Sequence, residues 1–331
     1  MFDRLVRTCL KLVAPGGKSA LSILIYHRVL ETHDPLLFEL PDVIDFDLQM
    51  ATLKRAFNVL SLADALDSLK NASLPERAAC VTFDDGYADN FNNALPVLKR
   101  HQISACFFVA SGFLDGGCMW NDKLVEMVRA FKGDFIECAE LGLEPLNTLT
   151  LTNRRSALVK LVGALKYRPL EERDYLVNRL VERANTIVPN DLMMTTAQVR
   201  ALADSGMEIG GHTLHHPILN TATLSSARQE IVDGRALLTR ITGRPTRFFA
   251  YPNGIPLTDY SREHVGLVKA LGFEAAVSTG WGVACSGDDI FQLPRFTPWG
   301  KTPLLFQFRL IHNIIRSRFR LAAPPVPELQ S

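Results

Sequence analysis

The amino-acid sequence predicts an α/β protein with a parallel sheet or barrel and helices packed outside it. Short apolar runs typical of buried strands alternate with amphipathic stretches typical of helices. Polar clusters recur directly after several of these strands. The carboxyl ends of parallel strands meet at one edge, where α/β proteins build their functional sites. We therefore expect the polar clusters to share one site.

The elements follow in a regular order along the chain. Strands are predicted at 21–27, 78–83, 103–110, 207–210, 247–251 and 273–279. Residues 112–194 interrupt the alternation with three helical patterns and are interpreted as a largely helical insertion. Thr195 and Gln198 form a capping-box pattern for a helix that ends near Gly206. The predicted organisation is an N-terminal amphipathic segment over 1–20, a barrel over 21–300, and a basic amphipathic helix with a disordered tail over 301–331.

Composition limits the partners and the compartment. The chain has 331 residues and a net charge of +1, so no nucleic-acid partner is expected. Its six cysteines form no CxxC pair, and several lie in apolar runs, which favours buried free thiols. Asp3 and Lys11 make the N-terminus a poor signal peptide. No run approaches the roughly 18 apolar residues of a membrane-spanning helix. These features favour a cytoplasmic protein.

Two polar clusters carry the chemistry. The first is the pair Asp84 and Asp85, which follows the strand 78–83 in the stretch TFDDGY. Adjacent carboxylates repel each other, and strand packing does not require them. One of them can bind a metal ion while the other acts as a general base on a water molecule. The alternative is that one aspartate only caps the helix starting near Tyr87.

The second cluster is GHTLHHP, which follows the strand 207–210 and holds His212, His215 and His216. Pro217 disfavours the α region for the residue before it, so a turn is predicted. Two imidazoles and one carboxylate suit zinc or a similar first-row divalent ion and leave a coordination position open. A lone histidine is more often a core residue, but three in five residues favour a metal site.

Three motifs together resemble the polysaccharide deacetylase family of metal-dependent carbohydrate esterases. They are TFDDGY, HTLHHP and AYPNG, and the resemblance extends over about residues 20–298. It implies a distorted (β/α) barrel. It also implies hydrolysis of N-acetyl or O-acetyl groups on a polysaccharide, an oligosaccharide or a lipid-linked sugar, in exopolysaccharide or cell-envelope glycan metabolism.

The resemblance also implies roles for individual residues. Asp84 is the catalytic base, and Asp85, His212 and His216 bind a divalent metal. That metal is most readily zinc, with cobalt, nickel and iron as alternatives. His215 is then a neighbour of the ligands.

The third motif places Tyr251, Pro252 and Asn253 beside the substrate and the oxyanion, where a backbone N–H of Asn253 can serve as donor. Ala250 occupies the position where the family usually has an arginine that tethers the base. Arg295, after a late strand, is the predicted substitute. His27, at the end of the first strand, is the preferred candidate for the general acid, and His312 is the alternative.

The last part of the chain has two interpretations. The stretch around Leu304, Phe308 and Ile315 combines an apolar helical face with several arginines. Such a helix can lie on an anionic membrane surface as a peripheral contact, or it can dock on its own barrel.

Two rival functions are also consistent with the sequence. One rival function is hydrolysis of amides that are not sugars. The other is a glycan-binding protein that has lost efficient turnover.

Overall fold

The computed structural model of the chain describes residues 20–298, 300 and 302–316. An eight-stranded sheet forms its centre, and seven strands run in the order β10–β1–β3–β4–β7–β8–β9. Neighbouring strands are parallel except for β10 beside β1. The short β2 pairs with the amino-terminal part of β3. The strands are β1 Ala20–Tyr26, β2 Asn58–Val59, β3 Ala78–Phe83, β4 Ala105–Val109, β7 Glu208–Gly211, β8 Phe248–Ala250, β9 Ala275–Val277 and β10 Ala284–Cys285.

The sheet curls so that one extended segment contacts both β9, at one edge, and the part of β1 that β10 leaves unpaired. Leu293 pairs with β9 at Val277, and Phe296 pairs with β1 at Leu24. Backbone hydrogen bonds fix the second contact, since the Ile25 N–H donates to the Phe296 carbonyl over 3.1 Å and the Phe296 N–H donates to Ile23 over 3.1 Å. Residues 293–296 therefore close the curled sheet into a distorted barrel. The predicted α/β barrel is confirmed.

Helices cover the outside of this barrel. Those of the barrel and the C-terminal region are α1 Val43–Ala56, α2 Leu62–Lys70, α3 Leu95–Arg100, α7 Thr196–Asp204, α8 Leu224–Thr242, α9 Arg262–Ala270 and α10 Pro303–Arg316. The predicted capping box at Thr195 and Gln198 begins α7. None of the helices in the described residues is long and apolar enough to span a bilayer.

The interruption between β4 and β7 is mainly helical. It contains α4 Trp120–Ala130, α5 Leu151–Leu165 and α6 Leu170–Arg183, together with a small hairpin of β5 Phe135–Ile136 and β6 Leu146–Asn147. These helices bury their own apolar cluster, with Leu124, Leu161 and Val177 fully enclosed. The predicted N-terminal amphipathic segment falls almost wholly outside the described residues, as do Trp299 and the tail from 317 onward.

Alternation along β3 decides what reaches the inside of the barrel. Ala79, Val81 and Phe83 pack in the cluster under the helices, whereas Ala78 and Cys80 belong to the cluster inside the barrel. Successive strand side chains point to opposite faces. Thr82 and Asp84 continue the inward set, and this register directs Asp84 toward the barrel interior.

Candidate metal and catalytic centre

Asp84 is held by a buried arginine from the segment that closes the barrel. Nη1 and Nη2 of Arg295 each donate to one oxygen of the Asp84 carboxylate over 2.7 Å. Nη1 also donates to Thr82 Oγ1 over 3.1 Å, and Nε donates to the Ser278 carbonyl over 3.0 Å. Arg295 is fully buried and Asp84 is 2% exposed. The guanidinium thus takes the tethering position that Ala250 leaves without a charge.

This contact keeps Asp84 ionised inside the protein. Burial opposes the charged form of the carboxyl, but Arg295, with help from His212, outweighs it and lowers the pKa of Asp84 below its ordinary value. A buried carboxylate that stays ionised and held in one orientation can accept a proton from a neighbouring water.

The loop after β7 carries the histidines in a strained conformation. Thr213 has φ of +64° and His216 has φ of +54°, values that side-chain-bearing residues rarely adopt. Thr213 Oγ1 donates to the His212 carbonyl over 2.5 Å and accepts the His216 N–H over 3.0 Å. Such strain persists where the surroundings fix the backbone, and it is common at functional sites.

Helix α8 fixes this loop from outside. Glu230 Oε2 accepts the Leu214 and His215 N–H groups over 3.0 and 2.7 Å, and Glu230 Oε1 lies 2.9 Å from His215 Nδ1. Gly234 lets the helix approach, because a Cβ there would lie 2.6 Å from the Thr213 carbonyl oxygen. His215 is therefore turned toward Glu230.

Asp85, His212 and His216 converge on one point. His212 Nε2 and His216 Nε2 are 3.1 Å apart, and Asp85 Oδ1 lies 3.4 and 3.3 Å from them. All three residues are buried, and one ligand atom from each lies within 4.8 Å of the others. Asp84 is adjacent, with Oδ2 3.9 Å from His212 Nε2.

The donor set fits a divalent cation. Asp85 Oδ1 is buried without a hydrogen-bond partner, an arrangement that costs free energy unless a cation satisfies it. His212 Nδ1 lies 2.7 Å from the Ala250 carbonyl, which favours the tautomer with a free lone pair on Nε2. Burial lowers the pKa of His216 to about 3, which favours its neutral imidazole. Burial also opposes the charged form of His212, but Asp84 and Asp85 outweigh it and raise its pKa, so a bound cation would replace that proton.

The other predicted site residues are placed differently. His27 is exposed directly after β1, the neighbour of β3. Burial raises the pKa of Asp84, and His27 adds a smaller lowering effect to those of Arg295 and His212. His312 stacks on Phe308 within α10. Asn253 is half-buried with φ of +57°, and its carbonyl accepts from Thr279 Oγ1 over 2.6 Å.

Tyr251 and Pro252 are buried, and for Tyr251 this is a correction to the predicted substrate contact. The Tyr251 ring stacks on Tyr260 with 3.8 Å between ring centroids, its hydroxyl donates to the Phe291 carbonyl over 3.1 Å, and its N–H donates to Val277 over 3.3 Å. Neither its side chain nor its N–H is available to a substrate. The aromatic pattern alone could not distinguish a core tyrosine from a cleft tyrosine.

Several polar residues near the site were not singled out from the sequence. Arg28 Nε donates to Asp89 Oδ2 over 2.7 Å, and its guanidinium lies over the Tyr87 ring. Asp122, at the start of the insertion, is buried beside Tyr87, and burial raises the pKa of its carboxyl to about 7. The only sequence signal for this cluster is the presence of charged residues within otherwise apolar stretches.

The fold and this site agree with the result of a family comparison. The polysaccharide deacetylase family profile matches residues 71–132 and 158–276, more than half of the chain. The chain belongs to the polysaccharide deacetylase family, whose members are carbohydrate deacetylases and hence hydrolases. The predicted family and enzyme class are confirmed.

Individual relatives are distant in sequence but match long stretches of the chain. The YxkH protein of Bacillus subtilis is 21% identical over 277 residues, covering 83% of this chain and 70% of that protein. The poly-β-1,6-N-acetyl-D-glucosamine N-deacetylase of Staphylococcus aureus MSSA476 is 25% identical over 170 residues, covering 50% of this chain and 58% of that enzyme.

Solved structures share the fold. The deacetylase PplD of Streptococcus pyogenes, in complex with acetate, superposes with a TM-score of 0.59 at 20% identity, covering 91% of this chain and 98% of PplD. IcaB of Ammonifex degensii superposes with a TM-score of 0.56 at 19% identity, covering 87% of this chain and 97% of IcaB.

Proposed function

We propose that this chain removes the N-acetyl group from N-acetylglucosamine residues of an exopolysaccharide or of its lipid-linked precursors. The observation that carries the proposal is the buried Asp85, His212 and His216 set with the tethered Asp84 beside it. The Staphylococcus aureus relative is named for N-deacetylation of poly-β-1,6-N-acetyl-D-glucosamine, which supports this substrate class.

Asp85, His212 and His216 would hold one divalent cation, with zinc as the first candidate. Two imidazoles and a carboxylate are a set that zinc, cobalt, nickel and iron accept. When bound, such an ion polarises an acetyl carbonyl and lowers the pKa of water.

Groups of the protein itself carry out the proton transfers and stabilise the oxyanion. Asp84 accepts a proton from the attacking water, whose oxygen bonds to the acetyl carbon. The Asn253 N–H donates to the developing oxyanion, in line with the role that the family resemblance gives this position. His27 donates a proton to the sugar nitrogen as the C–N bond breaks. The products are acetate and a free amine on the sugar.

Acetate release tests this function directly. Metal-loaded wild type is compared with Asp84→Asn on β-1,6-linked N-acetylglucosamine oligomers, with the metal content of both proteins measured. We expect release by the wild type and at least a 100-fold slower rate in the variant, because a positioned base contributes about 10²–10⁴-fold. Equal rates would contradict the assignment of Asp84. Faster hydrolysis of an acetylated amine without a sugar would favour the rival substrate class.

We also propose a cytoplasmic location with peripheral membrane contact through α10. Cys80, Cys106, Cys118 and Cys138 are free thiols, which supports a reducing compartment. The sequence from 301 to 320 holds five basic residues and no acidic one, a charge pattern that suits an anionic membrane surface.

A further inference from the structure

A cavity of about 450 Å³ lies beside the proposed catalytic centre. His27 and Arg28, which directly follow β1, line it. The loop around Phe38 and Leu40, helix α1 and helix α10 form the other walls. Because β1 pairs with β3, which carries Asp84 and Asp85 at its end, a molecule bound over the catalytic groups can extend into this cavity.

The cavity wall is better suited to hydrocarbon than to a second sugar. Phe38, Leu40 and Leu305 contribute apolar surface, and three polar lining residues, Tyr26, Gln49 and Arg28, are already hydrogen-bonded within the protein. Gln49 accepts the Tyr26 hydroxyl and donates to the Gly300 carbonyl, while Arg28 is paired with Asp89. A buried sugar needs hydrogen-bond partners for its hydroxyls, whereas a hydrocarbon chain needs none.

The charged groups of the lining do not select a charged polymer. Arg28 and Arg309 supply two cations, and Glu39 and Asp45 supply two anions. Because Arg28 is already neutralised by Asp89, Arg309 is the remaining cation beside the carboxylates of Glu39 and Asp45, and the lining has only a small negative excess. Apolar contact is therefore the main selectivity that this cavity offers.

We take Phe38 and Leu305 as the mouth of the cavity, because both line it and both are partly exposed. Phe38 is 41% exposed and Leu305 is 42% exposed, although both also line the cavity. Leu304, Phe308 and Ile315 continue the exposed apolar side of α10, whose opposite side is buried in the core through residues such as Leu310. A membrane-surface helix combines exposed apolar residues with basic ones, as this helix and the sequence after it do.

We propose that the substrate is an N-acetylated sugar carried on a lipid, whose hydrocarbon chain occupies this cavity while the sugar lies over Asp84 and His27. This proposal rests on the proposed deacetylase function and narrows its substrate class. A lipid chain can reach the cavity from the membrane surface past Leu305 and Phe38, without the enzyme leaving the membrane.

Two glycosides with the same sugar test the proposal. Acetate release is measured from methyl and decyl N-acetyl-β-glucosaminide, both below the micelle concentration of the decyl compound. We expect kcat/KM to be about 60-fold or more higher for the decyl glycoside, because each buried methylene contributes about 4-fold and roughly three buried methylenes give this factor. Binding of both glycosides to the metal-free protein is measured separately by calorimetry, and only the decyl glycoside is expected to bind.

Three variants test whether the preference for the decyl glycoside arises at this cavity. Leu305→Glu and Phe38→Glu place a charge at the mouth and are each expected to lower the decyl-to-methyl ratio of kcat/KM by at least tenfold. Val159→Glu, at a 74% exposed position on α5, is the matched control and should leave the ratio and decyl binding unchanged.

The outcomes separate the two proposals. Equal kcat/KM for the two glycosides, with no effect of either mouth variant, would overturn the lipid proposal and leave the deacetylase function standing. Decyl binding that is lost in Leu305→Glu, without acetate release from either glycoside or from the β-1,6-linked oligomers, would support the cavity assignment and overturn the deacetylase function. Neither binding nor release would overturn both.

Discussion

The buried ion pair between Arg295 and Asp84 gives the sharpest energetic prediction. Arg295→Met removes both 2.7 Å hydrogen bonds and leaves a carboxylate buried without its counter-charge. Breaking a buried pair by removing one partner costs about 3–5 kcal/mol in the free energy of unfolding. We expect a loss in this range for Arg295→Met in the metal-free protein.

A double-mutant cycle separates the pair from other effects. Asp84→Asn combined with Arg295→Met leaves no uncompensated charge, so the double variant should be about as stable as either single variant. The coupling free energy then equals the cost of one single variant, about 3–5 kcal/mol. Urea unfolding at pH 7, followed by tryptophan fluorescence, measures the free energy of unfolding of the wild type, the two single variants and the double variant.

A matched pair on the surface provides the control. Arg247 also makes two 2.7 Å hydrogen bonds to one carboxylate, that of Glu274, but both side chains are more than 40% exposed. Arg247→Met should therefore cost less than about 1 kcal/mol. If Arg295→Met costs no more than this control, or if the two losses at Asp84 and Arg295 simply add, the tether is not the strong buried pair described above.

Three further predictions concern other parts of the molecule. Burial raises the pKa of Asp122 to about 7, so the folded state binds this proton more tightly than the unfolded chain does, and stability falls as pH rises from about 4 to 7. Asp122→Asn should reduce the difference between the free energies of unfolding at pH 4 and pH 8 by about 4 kcal/mol, measured by urea unfolding. An unchanged pH dependence of stability would contradict the raised pKa of Asp122. His27→Gln should lower kcat by about 10²-fold or more with unchanged metal content, and a loss under threefold would exclude it as the general acid. Phe308→Glu should weaken sedimentation with anionic vesicles at least fivefold relative to wild type, and equal sedimentation would argue against membrane contact through α10.

Local sequence patterns predicted the parts of the site that lie next to a strand end. Asp84 and Asp85 follow β3 in register, and the predicted bounds of that strand, 78–83, match the structure. The turn after β7 followed from Pro217 and the histidine spacing. These features depend on a few neighbouring residues, so periodicity and turn chemistry reveal them.

Features that depend on closure of the barrel could not be derived in the same way. The two-residue strands β2 and β10 are too short to show any periodicity. The contact of Arg295 with Asp84 was predicted from the family resemblance and not from local periodicity. It joins residues 211 positions apart and forms because the segment 293–296 bridges β9 and β1. Glu230 lies on an ordinary helix, and the Ala250 carbonyl that orients His212 has no side-chain signature at all.

Metal stoichiometry is the most direct test of the central claim, that Asp85, His212 and His216 hold one divalent ion. Elemental analysis after exhaustive dialysis should give one ion per wild-type chain and less than a tenth of that in His212→Ala. His215→Ala, whose side chain instead faces Glu230, should retain the full amount. Equal metal content in the His212 and His215 variants, or no bound metal in wild type reconstituted with zinc, would contradict the claim.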